Sequence, residues 1–197
     1  MAKICFLGAG STVFAKAVLG DCLHVECLKD AHIALVDIDP DRLKVSEVML
    51  NNINRTLGAR AIIEAYDAKD ARKALQGADY VVNAIQVGGY EPGTVIDFEI
   101  PKKYGLRQTI ADTLGIGGIF RALRTIPVML DYCRIIEEVA PDAWLLNYTN
   151  PMAMLTGAIL KATGVKTVGL CHSVQGCASH LCWELGLPND NLKWKIA

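Results

Sequence analysis

A chain of 197 residues with 20 Lys and Arg against 21 Asp and Glu carries a net charge of −1. Its charges are interspersed, so it has no electrostatic footprint for nucleic acid or for an anionic membrane surface. A chain this long buries roughly 70% of its unfolded surface and folds without a disulfide or metal staple; 7 cysteines with no Cys-x-x-Cys spacing and 52% hydrophobic residues point to a reducing cytoplasm.

The N-terminal stretch MAKICFLGAGSTVFAKA has a Lys, an apolar run and an Ala-x-Ala, the outline of a secretion signal. Its run ICFL stops at Gly8, too short for the apolar centre such a signal needs. No stretch reaches the length that spans a bilayer. The expectation is a cytoplasmic protein with neither membrane nor nucleic acid as partner.

KICFLG (3–8) is instead the first of six short apolar runs, followed by HIALVD (32–37), AIIEAY (61–66), YVVNAI (80–85), AWLLNY (143–148) and KTVGLC (166–171). Because they are continuous rather than alternating, they predict strands of a parallel sheet covered on both faces. DPDRLKVSEVMLNNI (39–53) predicts a helix opening at Asp39-Pro40, with Leu43, Val48 and Leu50 along its apolar side. GGIFRALRTIPVMLDYCRIIEEVA (117–140) predicts a long helix that Pro127 kinks or splits. PMAMLTGAILKATG (151–164) predicts one that starts at Pro151 and stops at Gly164. A last helix from near Ser173 would align Val174, Cys177, Ala178, Leu181 and Leu185, making Cys177 a core residue. Cys5, Cys22, Cys27 and Cys133 also sit in apolar patterns and read as packing.

Strand and helix alternate along the whole chain, which gives an α/β fold: a doubly wound, Rossmann-like parallel sheet with right-handed crossovers. From Pro188, PNDNLKWKIA reads as a turn and a strand without a partner. Residues 1–187 are therefore expected to be one nucleotide-binding domain and 188–197 the start of a second.

The first strand runs into Gly8-x-Gly10 and then Ser11-Thr12 at a helix start. Glycines there allow a tight turn and a close approach of backbone to a pyrophosphate, whose charge sits at the helix N-terminus. Val13 stands where the third glycine of the usual fingerprint would be, so the motif alone is weak. Asp37 strengthens it: an acid at the end of the second strand accepts both ribose hydroxyls and repels a 2′-phosphate, favouring NAD over NADP. Asp39 is assigned mainly to capping the helix at Pro40 and Asp37 mainly to ribose. Asn83 and Gln86, ending the fourth strand, could line the nicotinamide side.

Ligands of such a sheet bind beyond the carboxyl ends of the strands. Three polar clusters fall there: NYTNPM with Asn150, GLCHSVQG with Cys171 and His172, and QTIADTLGIGG with Asp112. Taken singly, a His is more often structural and an Asp in a turn more often a cap; their convergence on one rim is what suggests a site.

At GAGST, GIGGIFRALRTIPVM, NYTNPM and GLCHSVQG the chain resembles glycoside hydrolase family 4, most closely its α-galactosidase branch. That resemblance implies NAD⁺ and a divalent metal, usually Mn²⁺, and α-galactosides such as melibiose as substrates. Cleavage would run by transient oxidation at C3, deprotonation at C2, elimination and water addition, outside the two-carboxylate pattern of most glycosidases. It further implies Cys171 as a metal thiolate, His172 as proton donor to the leaving group and Asn150 as a contact to a substrate hydroxyl. Asp112 matches an acid that raises the basicity of the C2-abstracting tyrosine. The second metal His and that tyrosine would lie beyond Ala197, in the substrate- and metal-binding domain of a larger enzyme. The fragment alone would be inactive, and the full-length protein a homo-oligomer.

The alternative is a lactate/malate-type dehydrogenase, which needs an Arg in the loop after the fourth strand to hold a carboxylate. That loop, QVGGYEPGTV, has none, and LDYCR (130–134) falls on the helix before the fifth strand. A zinc module built on Cys171, His172, Cys177, His180 and Cys182 fails the usual ligand spacing.

Overall fold

The protein is described by a computed structural model covering residues 1–110, 112–171, 173–188 and 193, with only the backbone of Val174. The six apolar runs become β1 (Lys3–Leu7), β2 (His32–Asp37), β3 (Ile62–Asp67), β4 (Tyr80–Asn83), β5 (Trp144–Asn147) and β6 (Lys166–Gly169). They pair in parallel in the order β3-β2-β1-β4-β5-β6. This is the doubly wound order, whose direction of winding reverses between β1 and β4. The connections contain α1 (Thr12–His24), α2 (Pro40–Thr56), α3 (Ala71–Leu75), α4 (Val95–Lys103), α5 (Gly115–Val139) and α6 (Met152–Ala162), and α7 (Ser173–Glu184) comes after β6.

The strands are apolar throughout because successive side chains enter two different cores. Cys5 and Leu7 pack with Leu75, Met129, Cys133, Ile136 and Ile159 on one face. Ile4 and Phe6 pack with Leu19, Leu23, Leu43 and Leu50 on the other. Each fully buried leucine or isoleucine contributes about 2 kcal/mol. At the sheet edge, β3 is largely exposed, so coverage of both faces holds for the central strands and weakens outward.

Strand register sets where the loops begin. Leu7 pairs with Val36 and Asn83, Asn83 with Asn147, and Asn147 with Gly169. One row thus ends β1, β4, β5 and β6 at the same height, with β2 running one residue further to Asp37, and the loops leaving it start on a common rim.

Several helices depart from expectation for identifiable reasons. In α2, Leu43, Ser46 and Leu50 face inward while Val48 is 49% exposed. The three- and four-residue steps from Leu43 select position 46, and Ser46 is tolerated there because its hydroxyl donates to the Ala9 carbonyl at 2.6 Å. α5 continues through Pro127 as one helix. Pro127 lies on its exposed side, where water can serve the carbonyl left without its N–H, while Ala122, Met129, Cys133 and Ile136 are held in the core. Cys5 and Cys133 are buried, but Cys27 is exposed and Cys22 only half-buried. On α7, Cys182 is the buried cysteine and Cys177 is exposed; Leu181 and Leu185 are 54% and 69% exposed. The apolar face read from sequence exists, but the described residues do not cover it. Among them, no helix is long and apolar enough to cross a membrane.

Candidate active site

Where the winding reverses, the loops after β1 and β4 part and leave a crevice of about 720 Å³. Gly8, Ser11, Asp37, Gln86 and Gly88 lie on its walls. Both glycines of the first turn are forced. Gly8 has φ +89° and a Cβ there would come within 2.6 Å of the Ala84 carbonyl oxygen in the loop after β4. A Cβ on Gly10 would lie 2.8 Å from the Asp37 carboxylate.

Asp37 is pinned from two sides. Its Oδ2 accepts the Gly10 N–H at 2.6 Å and its Oδ1 the Asp39 N–H at 2.9 Å. Each oxygen keeps a second lone pair for a ligand hydroxyl. Asp39 caps α2, accepting from the Asp41 and Arg42 N–H groups, both at 3.1 Å. Ser11 precedes α1 and makes no capping bond with its side chain, and the first turn from Thr12 carries no acid. The partial positive charge of that helix end is therefore open to an anion. Tyr132 of α5 closes the far wall, its phenol pushed up in pKa chiefly by burial, then by Cys5 and Asp37.

Gln86 reaches the crevice and donates weakly to the Thr94 hydroxyl at 3.4 Å. Asn83 does not line it. Its side chain is fully buried, with Nδ2 donating to Asn147 Oδ1 at 2.8 Å and to the Thr149 hydroxyl at 3.0 Å. The register sets it beside Asn147, so it supports the loop after β5 from behind. Its Oδ1 is buried without a partner among the described residues.

Along the rim, two of the expected residues meet. Asn150 donates through Nδ2 to Asp112 Oδ2 at 3.1 Å, and the Thr113 hydroxyl donates to Asp112 Oδ1 at 3.0 Å. Arg121 of α5 donates from Nε to the Asn150 carbonyl at 3.1 Å. Burial lowers the Arg121 pKa, and the Asp112 charge opposes that shift. Cys171 comes after β6, the neighbour of β5, and is half-buried. Its pKa is lowered by hydrogen bonds from the Ser173 hydroxyl and backbone N–H, which favour the thiolate. His172 lies outside the described residues. Among those described, no group of three His, Cys, Asp or Glu could hold a metal ion, so neither a zinc module nor a complete metal shell is formed by them.

Sequence reasoning passed over Ser46, Thr149, Arg121 and Arg124. The available signal was a polar or charged residue inside an apolar helical or strand pattern, as in FRALRTI.

A family model described as family 4 glycosyl hydrolase matches residues 3–187. This chain belongs to glycoside hydrolase family 4. It is 61% identical over all 197 residues to an alpha-galactosidase of Bacillus subtilis (strain 168), covering 45% of that relative. It is 42% identical over 98% of its length to an alpha-galactosidase of Rhizobium meliloti (strain 1021), covering 39% of it. The chain thus spans less than half the length of these curated relatives. Its fold matches that of the 6-phospho-beta glucosidase of Thermotoga maritima, solved with manganese, NAD⁺ and glucose-6-phosphate. There the TM-score is 0.78 at 23% identity, over 98% of this chain and 45% of the other.

Proposed function

We propose that this family 4 chain is the nucleotide-binding part of an NAD- and Mn²⁺-dependent α-galactosidase, a cytoplasmic homo-oligomer acting on small α-galactosides. The observation that carries the reading is that one sheet carries both structures at the carboxyl ends of its strands: the crevice lined by Gly8 and Asp37, and the Asp112–Asn150 contact in the loops around β5, with Cys171 following the neighbouring β6. The 61% identity to an alpha-galactosidase supports the choice of sugar.

The residues present fit NAD. Gly8 and Gly10, which have no room for a side chain, leave bare main chain for a pyrophosphate at the start of α1. Ser11 and Thr12 supply hydroxyls at that turn. Asp37, oriented by two N–H donors, accepts the ribose hydroxyls and repels a 2′-phosphate. Gln86 reaches the side where the nicotinamide would lie, and Asn83 acts behind it through Thr149. Bound NAD⁺ supplies a hydride acceptor for transient oxidation at C3 of the sugar.

Asn150 presents its amide to a substrate hydroxyl while Asp112 fixes its orientation, so the ring is held before any bond changes. Cys171, whose pKa is lowered by the Ser173 hydrogen bonds, is the one expected metal donor among the described residues. His172 is assigned to protonate the C1 oxygen as it is expelled in the elimination that follows C2 deprotonation; water then adds at C1 and re-reduction at C3 restores the sugar. Nothing favours the dehydrogenase alternative: Arg124, the arginine lying against the loop after β4, has its fork taken by Asp97.

The test is hydrolysis of a nitrophenyl α-galactoside by the full-length protein with Mn²⁺ and a thiol reductant. After stripping of nucleotide, turnover should vanish and return with NAD⁺. Undiminished turnover by the stripped enzyme would refute the redox reading.

A further inference from the structure

Asp97 is a charged residue with no exposure, standing in the first turn of α4. It is gripped by the fork of Arg124 from α5: Nη2 donates to Oδ2 at 2.6 Å and Nη1 to Oδ1 at 3.1 Å. The third face of the same guanidinium donates from Nε to the Val87 carbonyl at 3.1 Å. Val87 and Gly88 are wall residues of the crevice.

The main chain at this wall is moulded on the guanidinium. Gly88 has φ +85°, and a Cβ there would lie 3.0 Å from Arg124 Nε. The loop then closes on itself, with the Gly93 N–H donating to the Gly88 carbonyl at 3.0 Å. Gln108 locks the same corner: its Nε2 donates to the Asp97 carbonyl and its Oε1 accepts from the Gly117 N–H, both at 2.9 Å.

An ion pair whose carboxylate is fully buried and whose guanidinium is only partly so is a poor device for stability, because the cost of desolvating the charge cancels much of the attraction. A planar fork with its donors assigned is a good device for fixing direction. We propose that Asp97 and Arg124 are a positioning pair for the cofactor: Arg124, aimed by Asp97, holds the Val87–Gly88 wall in the shape that seats NAD⁺. The inference rests on the NAD reading of the crevice, and neither residue need touch the nucleotide.

The experiment measures NAD⁺ affinity by calorimetry and melting temperature together, on the full-length protein. R124K keeps a charge for Asp97 but loses the fork and the Nε donor to Val87. It should melt several degrees below wild type, as the lost fork hydrogen bonds require, and bind NAD⁺ about tenfold more weakly, the worth of one charge-assisted hydrogen bond. The double variant D97N/R124M removes both charges at once, leaves none unpaired, and should show the same loss. A lowered melting temperature with unchanged NAD⁺ affinity, in either variant, would make the pair a strut and overturn the proposal. A wild-type protein that takes up no NAD⁺ would instead remove the reading beneath it.

Discussion

Replacing Asp37 with Asn tests the crevice more sharply than deletion would, because the change is nearly isosteric. The carboxylate takes one backbone N–H on each oxygen, from Gly10 at 2.6 Å and from Asp39 at 2.9 Å. An amide has a single oxygen, so whichever way it turns, its NH₂ group faces one of these N–H donors. One charge-assisted bond is lost outright and the other becomes a neutral one, together about 3 kcal/mol. For a domain of this size that is roughly 6–12 °C of melting temperature. Cofactor choice should shift as well. A unit charge about 4 Å from a 2′-phosphate oxygen feels a repulsion of about 4 kcal/mol at an effective dielectric of 20. Discounted for the solvent that reaches a half-buried carboxylate, about 1–2 kcal/mol remains, roughly tenfold in affinity. Calorimetric titration of wild type and D37N with NAD⁺ and NADP⁺, beside thermal melts, reads both effects. A D37N protein that melts like wild type and keeps its full preference for NAD⁺ would show that the carboxylate neither shapes the turn nor selects the nucleotide.

Ser46→Ala should cost about 1–2 kcal/mol in denaturant unfolding, since the Ala9 carbonyl loses its 2.6 Å donor in a site closed to water; an unchanged stability would mean that the turn needs no brace from α2. Cys171 should alkylate with iodoacetamide along a pH profile centred below the ordinary thiol value, because its thiolate is favoured by Ser173. Cys5 and Cys133, buried and pushed up to about 12, should stay unmodified at pH 8. Peptide mass spectrometry separates these sites, and a Cys171 profile above the ordinary value would remove its claim to be a ready metal donor.

What could be read in the sequence, and what could not, divides by distance along the chain. The central strands were legible because a strand covered on both faces must be apolar at every position, a pattern complete within four to six residues; the edge strands β3 and β6 carry similar runs with less cover. The start of α2 was legible because Asp39 and Pro40 act on the backbone next to them. Ser46 was hidden because its partner, Ala9, lies 37 residues away. The same holds for Asp97 and Arg124, 27 residues apart, each alone looking like a solvated helix charge. Asn83 was read as a wall residue because it ends a strand; the neighbouring Asn147 turns it inward instead. Cys27 and Cys177 failed for the opposite reason, since an apolar pattern says which side of a helix seeks cover without saying that cover is present. Asp112 and Asn150 were placed on one rim from topology, and they do meet; their chemical roles rest on the family resemblance.

The central place of β1 has a consequence for how the molecule assembles. β1, the first of these six strands in chain order, pairs on one side with β2, close behind it in the chain, and on the other with β4; the Lys3 N–H bonds an Asp79 oxygen 76 residues away. A three-stranded unit of β1, β2 and β3 can therefore gather early, with an open edge on β1 until β4 is made. The second unit closes that edge by long-range pairing, the slow kind of contact. Gly8 belongs to the first unit and Ala84 to the second, so the crevice between them comes into being only at the joining of the two halves. A nucleotide held there spans the seam, and its binding energy pulls on the last step of folding.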